Sequence, residues 1–282
     1  MIREAVKGDE ALIEAYLAKH FTTAMFMRGN LRDFGIGNTQ APYGMRFFIR
    51  EEGEVTGIGG VGNGGAVMLQ ASGNPAEIVV HMRAALPAGF MPTVTTGAPE
   101  MVQAILEGFG AGAAPMQMNE TEPLFLLPKS ALVPQDMTGF TLRPATMDDL
   151  PLLAKWNHAY NLEVLGVVDS PESRKETHEA AHRTIIHGRQ RLLVKDGDVV
   201  AQTNFNAALP DTVQIGGVYT PPALRGQGYA RRAVAAHLSE AFSAGIKNSI
   251  LFSASEAASQ AYRSVGFKEI GSYRIVLFGE PA

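Results

Sequence analysis

The sequence has no cysteine, no long apolar run and no excess of basic residues, and each absence removes a class of protein. Without cysteine, no disulfide staples the fold and no cysteinyl–acyl intermediate can form. No apolar run approaches the roughly 20 residues that a membrane-spanning helix needs. The 24 lysines and arginines are outnumbered by 28 acidic residues, and this net charge of −4 gives no electrostatic footprint for nucleic acid. We therefore expect neither a membrane nor a nucleic acid as a partner.

The first residues, Met1 to Lys7, carry charge at every third or fourth position and lack the apolar core of a signal peptide. We therefore expect a cytoplasmic protein. We expect it to be a monomer or a homodimer. A length of 282 residues predicts two domains. The stretch from Pro128 to Gly139 is bracketed by prolines and ends in glycine, which is typical of a linker. We place the domains at 1–128 and 140–282, with the linker at 129–139.

After the linker, the pattern predicts alternating strands and helices. The strands are expected at 140–143, 191–195, 199–206, 212–219, 249–252 and 270–278, and the helices at 147–165, 172–187, 226–243 and 256–265. Thr146 is the expected N-cap of the first of these helices, and Asp196-Gly197-Asp198 is the expected hairpin turn. Residues 1–128 repeat this order less cleanly and without repeating the sequence. Helices are expected there at 7–19, 75–84 and 99–109, and strands at 45–49, 55–58, 66–70, 92–95, 116–119 and 124–127.

A glycine turn between a strand and a helix lies at Arg225 to Ala230. The free N–H groups of a first helical turn point outward, and the helix dipole favours negative charge there. Gly226 and Gly228 remove the side chains that would block close approach of the backbone, and Arg225 adds a fixed positive charge. A diphosphate is the natural ligand of such a turn.

The segment from Gly217 to Ala230 closely resembles the CoA motif of the GNAT acetyltransferase superfamily. That motif is Arg or Gln, two residues, Gly, one residue, then Gly or Ala, and Arg225, Gly228 and Ala230 fill its three defined places. A second segment, from Ser255 to Phe267, resembles the family's Asn, two residues, Ala, three residues, Tyr, followed by Gly-Phe. The resemblance covers about the last half of the chain.

The resemblance implies an α/β (α+β) fold of two tandem GNAT-like domains, each a mixed, mostly antiparallel twisted sheet flanked by helices, the first domain being degenerate. It implies an N-acetyltransferase with acetyl-CoA as co-substrate and no metal. The acceptor would be a primary amine of a small molecule, amino acid or peptide. The residues implied to contact CoA are Val218, Tyr219, Thr220, Arg225, Gly226, Gln227, Gly228, Tyr229, Ala230 and, in place of the family's Asn, Ser255.

Tyr262 is implied to be the general acid that protonates the departing thiolate of CoA; packing on the apolar stripe of its helix is the alternative. The strand at 212–219 has no acidic residue, whereas many relatives place the general base there. Glu163, near the end of the helix that lines the acceptor pocket in relatives, is our best candidate for the base. His158 and Asp169 are weaker candidates, and a base acting through water stays open.

Two motifs point to other functions. His178-Glu179-Ala180-Ala181-His182 matches the HExxH pattern of zinc hydrolases, but no third ligand stands at the spacings that those enzymes use. The run from Gly57 to Gly62 matches a dinucleotide fingerprint, which must open a helix. Asn63-Gly64 and an apolar strand follow it instead, so we predict a hairpin turn there. His237 lies beside an apolar stripe, and we expect it to pack.

In the N-terminal half, residues 71–74 stand where the CoA loop would be, without an arginine or paired glycines. We therefore expect this half not to bind CoA, and to buttress the catalytic domain or wall the acceptor site. A CoA-binding sensor or scaffold without turnover is the second function that the sequence leaves open. The missing acid on the central strand favours it, and Tyr262 favours the enzyme.

Overall fold

Both halves of the chain follow one order of elements: a strand, two helices, three strands, a helix, a strand, a helix and a long strand. The predicted repeat of element order is thereby confirmed. The structure is a computed structural model that describes Met1 to Gly279. These residues form two compact units, the first made of 1–122 with 272–279 and the second of 123–271.

The elements of the N-terminal half are β1 (Ile2–Glu4), α1 (Glu10–Lys19), α2 (Met25–Phe34), β2 (Met45–Glu52), β3 (Glu54–Gly62), β4 (Ala66–Ala71), α3 (Ala76–Ala84), β5 (Val94–Gly97), α4 (Pro99–Gly108) and β6 (Met116–Pro128). Helix α2 was not predicted, because Gly29 and Asn30 in its middle are poor helix formers. Burial of Met27 and Leu31 against the sheet outweighs that preference. The two closing strands predicted at 116–119 and 124–127 are one continuous strand.

The elements of the C-terminal half are β7 (Phe140–Pro144), α5 (Leu150–Val164), α6 (Pro171–Ile186), β8 (Gln190–Lys195), β9 (Asp198–Ala208), β10 (Thr212–Tyr219), α7 (Tyr229–Ser243), β11 (Asn248–Phe252), α8 (Glu256–Val265) and β12 (Lys268–Phe278). Thr146 and Asp149 form a reciprocal capping box before α5. The predicted hairpin turn has positive φ at both Asp196 and Gly197, as its sequence requires.

In the first unit the strands lie in the order β1-β2-β3-β4-β5-β12, and only β4 and β5 pair in parallel. Side chains alternate across the sheet: Phe48 and Leu69 pack under α3 and α4, and Phe47 and Met68 pack under α1 and α2. The second unit has the equivalent order β7-β8-β9-β10-β11-β6, again with one parallel pair, β10 and β11. Helices α5 and α6 cover one of its faces, and α7 and α8 cover the other.

The glycine run from Gly57 to Gly62 lies inside strand β3, and the turn follows it at residues 63–65. The predicted hairpin is confirmed: β3 and β4 pair antiparallel, and the turn lies at Asn63-Gly64-Gly65. A Cβ added at Gly57 would lie 2.4 Å from Cδ1 of Ile78, and one at Gly59 would lie 2.2 Å from Sδ of Met82. The glycines therefore allow α3 to pack directly on the strand, which is a structural reason for a pattern that otherwise suggests a nucleotide.

Each unit takes its last strand from the other half of the sequence. Residues 274–277 of β12 pair with β5 in the first unit, and residues 124–128 of β6 pair with β11 in the second. The stretch predicted as a linker lies in the second unit, where Val133 N donates to Val265 O. The predicted boundaries divide the chain once, near its middle, whereas the first unit combines 1–122 with 272–279 and the second begins at 123.

Between residues 1 and 279, no helix combines the length and the apolar character that crossing a membrane requires.

Candidate active site

The site begins where two parallel strands of the second unit separate. Strand β10 pairs with β11 only from Thr212 to Gln214, although β10 continues to Tyr219 and β11 to Phe252. Beyond Gln214, the edge of β10 that faces β11 therefore has no partner strand in the described ladder. An opening of this kind leaves backbone N–H and C=O groups available to an extended ligand.

A β-bulge in β10 lies beside this opening. Gly216 pairs with Asn204 and Tyr219 with Gln202, so the two residues Gly217 and Val218 oppose a single residue of β9. Gly217 has φ of +56°, the left-handed conformation that glycine supplies in the first position of such a bulge. The bulge redirects the backbone at Val218 and Tyr219, the two residues implied to contact the acyl group and its carrier.

The phosphate loop follows the strand directly. After the short turn Pro222–Leu224, Gly226 and Gly228 both adopt positive φ, +78° and +73°, and α7 begins at Tyr229. The helix was predicted to begin at Gly226; it begins three residues later because both glycines are left-handed. Gly228 is its N-cap and supplies no side-chain hydrogen bond, so the N–H groups of the first turn face outward without a side-chain cap. This geometry suits a diphosphate.

Cationic side chains surround the start of α7. Arg231 is exposed and Arg232 is partly buried, and a Cβ at Gly228 would lie within 3 Å of both, at 2.8 Å from Nε of Arg231 and 2.9 Å from Nη1 of Arg232. Nζ of Lys195 lies 3.4 Å from the hydroxyl of Tyr229, which donates to Oε1 of Gln227 at 2.7 Å. Positive charge at a helix N-terminus adds to the attraction of the helix dipole for an anion.

Two residues that the sequence assigned to separate roles, Arg225 and Glu163, form an ion pair. The guanidinium donates two hydrogen bonds to the carboxylate, at 2.8 and 2.7 Å, while its Nε donates to Thr220 O at 3.0 Å. Hydrogen bonding to Arg225 lowers the pKa of Glu163, and the same bond raises the pKa of Arg225. A carboxylate held in this way is a weaker base than a free one, which disfavours the predicted role of Glu163 in this conformation.

His158 and Asp169, the weaker candidates for the base, also contact each other, at 2.9 Å between Nε2 and Oδ1. Arg174 holds the same carboxylate through two hydrogen bonds, of which the Nε contact measures 2.8 Å, and these bonds lower the pKa of Asp169. Trp156 of α5 packs against Tyr219, with ring centroids 5.8 Å apart. His158, two residues further on, lies about 200° around the helix and therefore points away from the strands.

Tyr262 lies on α8 and packs edge to face against Phe267, with ring centroids 6.0 Å apart. It is partly buried beside the cluster under α7 and α8. Ser255 is the N-cap of that helix, and its side chain accepts a hydrogen bond from Ala258 N at 3.2 Å. Its side chain is therefore engaged in capping the helix, and its contact with CoA stays a prediction.

A network of buried amides beneath the bulge was not predicted. Gln202 of β9 is fully buried, and its Nε2 donates to Gly217 O at 3.1 Å and to Oδ1 of Asn157 at 2.6 Å. The only sign of this network in the sequence is the alternation of Gln202, Asn204 and Asn206, which places three amides on one face of a strand. A row of this kind is equally typical of a face exposed to solvent, so it does not predict a buried network.

In the first unit, the loop between β4 and α3 is the counterpart of the glycine loop, and a buried arginine lies beneath it. The guanidinium of Arg50, a buried residue of β2, donates to the carbonyl oxygens of Ser72 and Asn74 and, at 2.9 Å, to Oγ1 of Thr56. The side chain of Asn74 accepts a hydrogen bond at 3.1 Å from the N–H of Ala76, the first residue of α3. In this loop, the N–H of Ala76 and the guanidinium of Arg50 are both engaged within the unit.

The HExxH residues lie on α6, with His178 and Glu179 exposed. Nζ of Lys175 approaches Oε1 of Glu179 to 4.0 Å. Across residues 1–279, the described side chains include no group of three or more His, Asp or Glu that is arranged to hold a metal ion. His237 is buried and stacks on Phe205, with ring centroids 3.7 Å apart, which confirms that it packs.

A sequence model described as the acetyltransferase (GNAT) family matches residues 152–267. This segment holds the separating strands, the glycine loop and Tyr262. The second unit contains a GNAT domain. Acyl transfer from acetyl-CoA is the chemistry of that family, and the matched segment carries both motifs on which the resemblance rested.

Solved structures extend the likeness of fold beyond that segment. An X-ray structure of a Drosophila protein superposes with a TM-score of 0.70 at 10% identity and covers 98% of both chains. A GNAT-family acetyltransferase from Colwellia psychrerythraea has a TM-score of 0.56 at 15% identity, over 99% of this chain and 100% of its own. A tandem GNAT protein from the clavulanic acid biosynthesis pathway has 0.54 at 14%, over 98% and 97%. No curated protein matches the sequence.

Identities this low show the fold alone. The fold of the tandem GNAT protein nevertheless superposes on nearly the whole chain, and each unit has the mixed, mostly antiparallel sheet that was predicted. The predicted fold class is confirmed.

Proposed function

We propose that the protein is an acetyl-CoA-dependent N-acetyltransferase whose acceptor is a primary amine of a small molecule, amino acid or peptide, attacked directly in a ternary complex. The observation that carries the proposal is the opening between β10 and β11, with an uncapped helix N-terminus and two left-handed glycines at its end. An extended thioester fits the opening, and its diphosphate fits the loop.

In this proposal the backbone N–H groups from Gly226 to Ala230 hold the diphosphate, with Gln227 and Tyr229 in the loop and Thr220 and Ser255 at its borders. The positive charge of Arg225 becomes available to the diphosphate when Glu163 releases it. The backbone at Val218 and Tyr219 donates to the thioester carbonyl and stabilises the oxyanion that forms there.

The amine nitrogen attacks the carbonyl carbon, and a tetrahedral intermediate forms. Its collapse breaks the bond between carbon and sulfur, and the thiolate of CoA takes a proton from the hydroxyl of Tyr262. The proton of the amine passes to a base. Glu163 is our candidate for that base once Arg225 has turned to the diphosphate, because the carboxylate is then free of the ion pair.

The test is CoA release with a panel of primary amines, measured for the wild type and for Tyr262→Phe. We expect the substitution to lower kcat by about 10²–10⁴-fold, the usual contribution of a positioned acid. The dissociation constant of CoA should stay unchanged, because the loop does not depend on the hydroxyl. Tyr43→Phe, at an exposed tyrosine of the first unit, is the matched control and should keep full activity.

The second candidate is a CoA-binding sensor or scaffold without turnover. Two observations favour it: β10 carries no acidic residue, and Glu163 is held by Arg225. Tight CoA binding without turnover for any amine would replace the enzyme by the sensor. Stoichiometric zinc in the purified protein without CoA binding would overturn both and favour a hydrolase built on His178 and His182.

A further inference from the structure

We infer that Gln202 is a positioning residue for acyl transfer, acting on the β-bulge of β10 that presents the oxyanion donors. The inference rests on the proposed function, because it assigns a role to the backbone at Val218 and Tyr219 in that reaction. Gln202 touches neither the acyl group nor CoA. It acts through Gly217, whose carbonyl it holds.

The geometry of the bulge links the carbonyl of Gly217 to the direction of the N–H of Val218. Gly217 has positive φ and is the first of two residues that oppose one residue of β9. Its peptide group precedes Val218, so the direction of its carbonyl fixes the direction of the N–H of Val218 in the same peptide plane. A hydrogen bond to Gly217 O therefore orients the first of the proposed oxyanion donors.

Gln202 is suited to hold that carbonyl because burial and two hydrogen bonds restrain its side chain. Its side chain is fully buried, and the same Nε2 also donates to Oδ1 of Asn157 at 2.6 Å. Asn157 belongs to α5, the helix that also packs Trp156 on Tyr219. One buried amide thus joins the helix, the strand β9 and the bulge.

The amide is costly to bury, which argues for a role beyond filling space. Oε1 of Gln202 is buried and accepts no hydrogen bond within the described residues. An unpaired buried acceptor destabilises a fold, and an apolar side chain of similar size would avoid that cost. What the amide adds is the pair of directed bonds from Nε2, and one of them ends on the bulge.

The test replaces Gln202 by methionine, which keeps the length of the side chain and removes its donor. We expect kcat/KM for acetyl transfer to fall about tenfold or more, because misaligned oxyanion donors lose much of the ~10²–10³-fold effect of such a group. The dissociation constant of CoA should change less than about twofold, since the loop at Gly226–Ala230 supplies the binding of the diphosphate.

Gln190→Met is the matched control. Gln190 is a buried amide on the neighbouring strand β8, and its partner in the ladder is Asn204. Nε2 of Gln190 has no hydrogen-bond partner among the described residues, so the control removes a buried amide of the same size without removing a bond to the bulge. It should therefore keep its kcat/KM. If Gln202→Met does not fold, Asn157→Ala removes the anchor of the amide instead, and a selective loss of kcat/KM is again expected.

Equal losses of kcat/KM in the two methionine variants would overturn the inference, and so would parallel losses of activity and CoA binding. Failure of the proposed function has a different signature: the wild type then binds no CoA or turns over no amine.

Discussion

Each unit places a glycine-containing turn between its central strand and the helix that follows, and the two turns differ in what fills them. In the second unit, Gly228 caps α7 without a side chain and leaves the first turn open. In the first unit, Asn74 accepts a hydrogen bond from the N–H of Ala76, the first residue of α3, and Arg50 holds the loop carbonyls from inside the fold. The difference is one of charge placement. An arginine beneath a loop binds its carbonyls, whereas an arginine in front of a loop can bind an anion.

The comparison also explains why the glycine count alone is a poor guide to binding. Gly73 has φ of +75°, close to the +73° of Gly228, so both loops include a left-handed glycine. What distinguishes them is the side chains around the loop: Asn74 accepts from Ala76 N and Arg50 holds the carbonyls in the first unit, whereas Gly228 supplies no side-chain cap in the second. We expect one CoA site per chain. Two sites in a calorimetric titration would show that the loop of the first unit binds CoA as well.

The largest effect is expected from Arg50→Met. Removing the guanidinium leaves the buried carbonyls of Ser72 and Asn74 without their donor, which should lower the free energy of unfolding by about 2–5 kcal/mol. CoA binding should not change. Arg46→Met, four residues earlier on the same strand and partly exposed, should cost less than about 1 kcal/mol. Denaturant unfolding measures both, and equal losses would show that Arg50 does not clamp the loop.

The second effect concerns pH and His237 on α7. Burial, aided by Arg191, lowers the pKa of His237 to about 3. The unfolded state binds a proton near the ordinary pKa of about 6.5 and the folded state does not, so stability falls as the pH drops below that value. We expect a loss of about 2 kcal/mol between pH 7 and pH 5 from this group.

In His237→Leu, the free energy of unfolding should fall less between pH 7 and pH 5 than in the wild type, as measured by unfolding at a series of pH values. The control is His81→Leu on α3, the corresponding helix of the first unit, where the side chain is exposed. An unchanged slope in the His237 variant would contradict the assignment.

The third prediction compares the glycines directly. Gly228→Ala and Gly73→Ala impose a similar strain of about 1–2 kcal/mol on a left-handed backbone. Only Gly228→Ala should weaken CoA binding, by about tenfold, because its Cβ would meet the side chains of Arg231 and Arg232 at the mouth of the loop. The nearest atom to a Cβ at Gly73 is Nη2 of Arg50, at 3.7 Å. Equal affinities for CoA in the two variants would show that the loop at Gly228 does not take part in binding CoA.

The smallest effect is expected from Glu163→Gln. Glu163 competes with the diphosphate for Arg225, and an exposed ion pair is worth at most about 1 kcal/mol, so CoA affinity should rise about two- to fivefold. If Glu163 is also the base, kcat should fall in the same variant. Glu176→Gln removes an equal charge from an exposed position on α6 and is the control. Weaker CoA binding in the Glu163 variant would mean that the carboxylate positions Arg225 and does not compete with it.

Local patterns were sufficient for much of the fold. Helix α8 has the predicted bounds because Ser255 caps its start and Gly266, with positive φ, ends it. The hairpin at Asp196 and Gly197 has the turn that those two residues dictate. Helix α2 was missed, because tertiary burial, which local propensity does not report, stabilises it.

The sequence by itself determined the order of elements in the second half and most of it in the first, the glycine loop at Arg225 to Ala230, and the positions of Tyr262 and Ser255 on α8. These depend on capping, glycine conformation and periodicity, which act over a few residues. The tertiary structure decided the rest: the exchange of last strands between the halves, the clamp of Arg50 on a loop 24 residues away, and the pairing of Arg225 with a carboxylate 62 residues away. Contacts at such separations leave no periodic trace in a sequence, because each depends on which surfaces the folded sheet brings together.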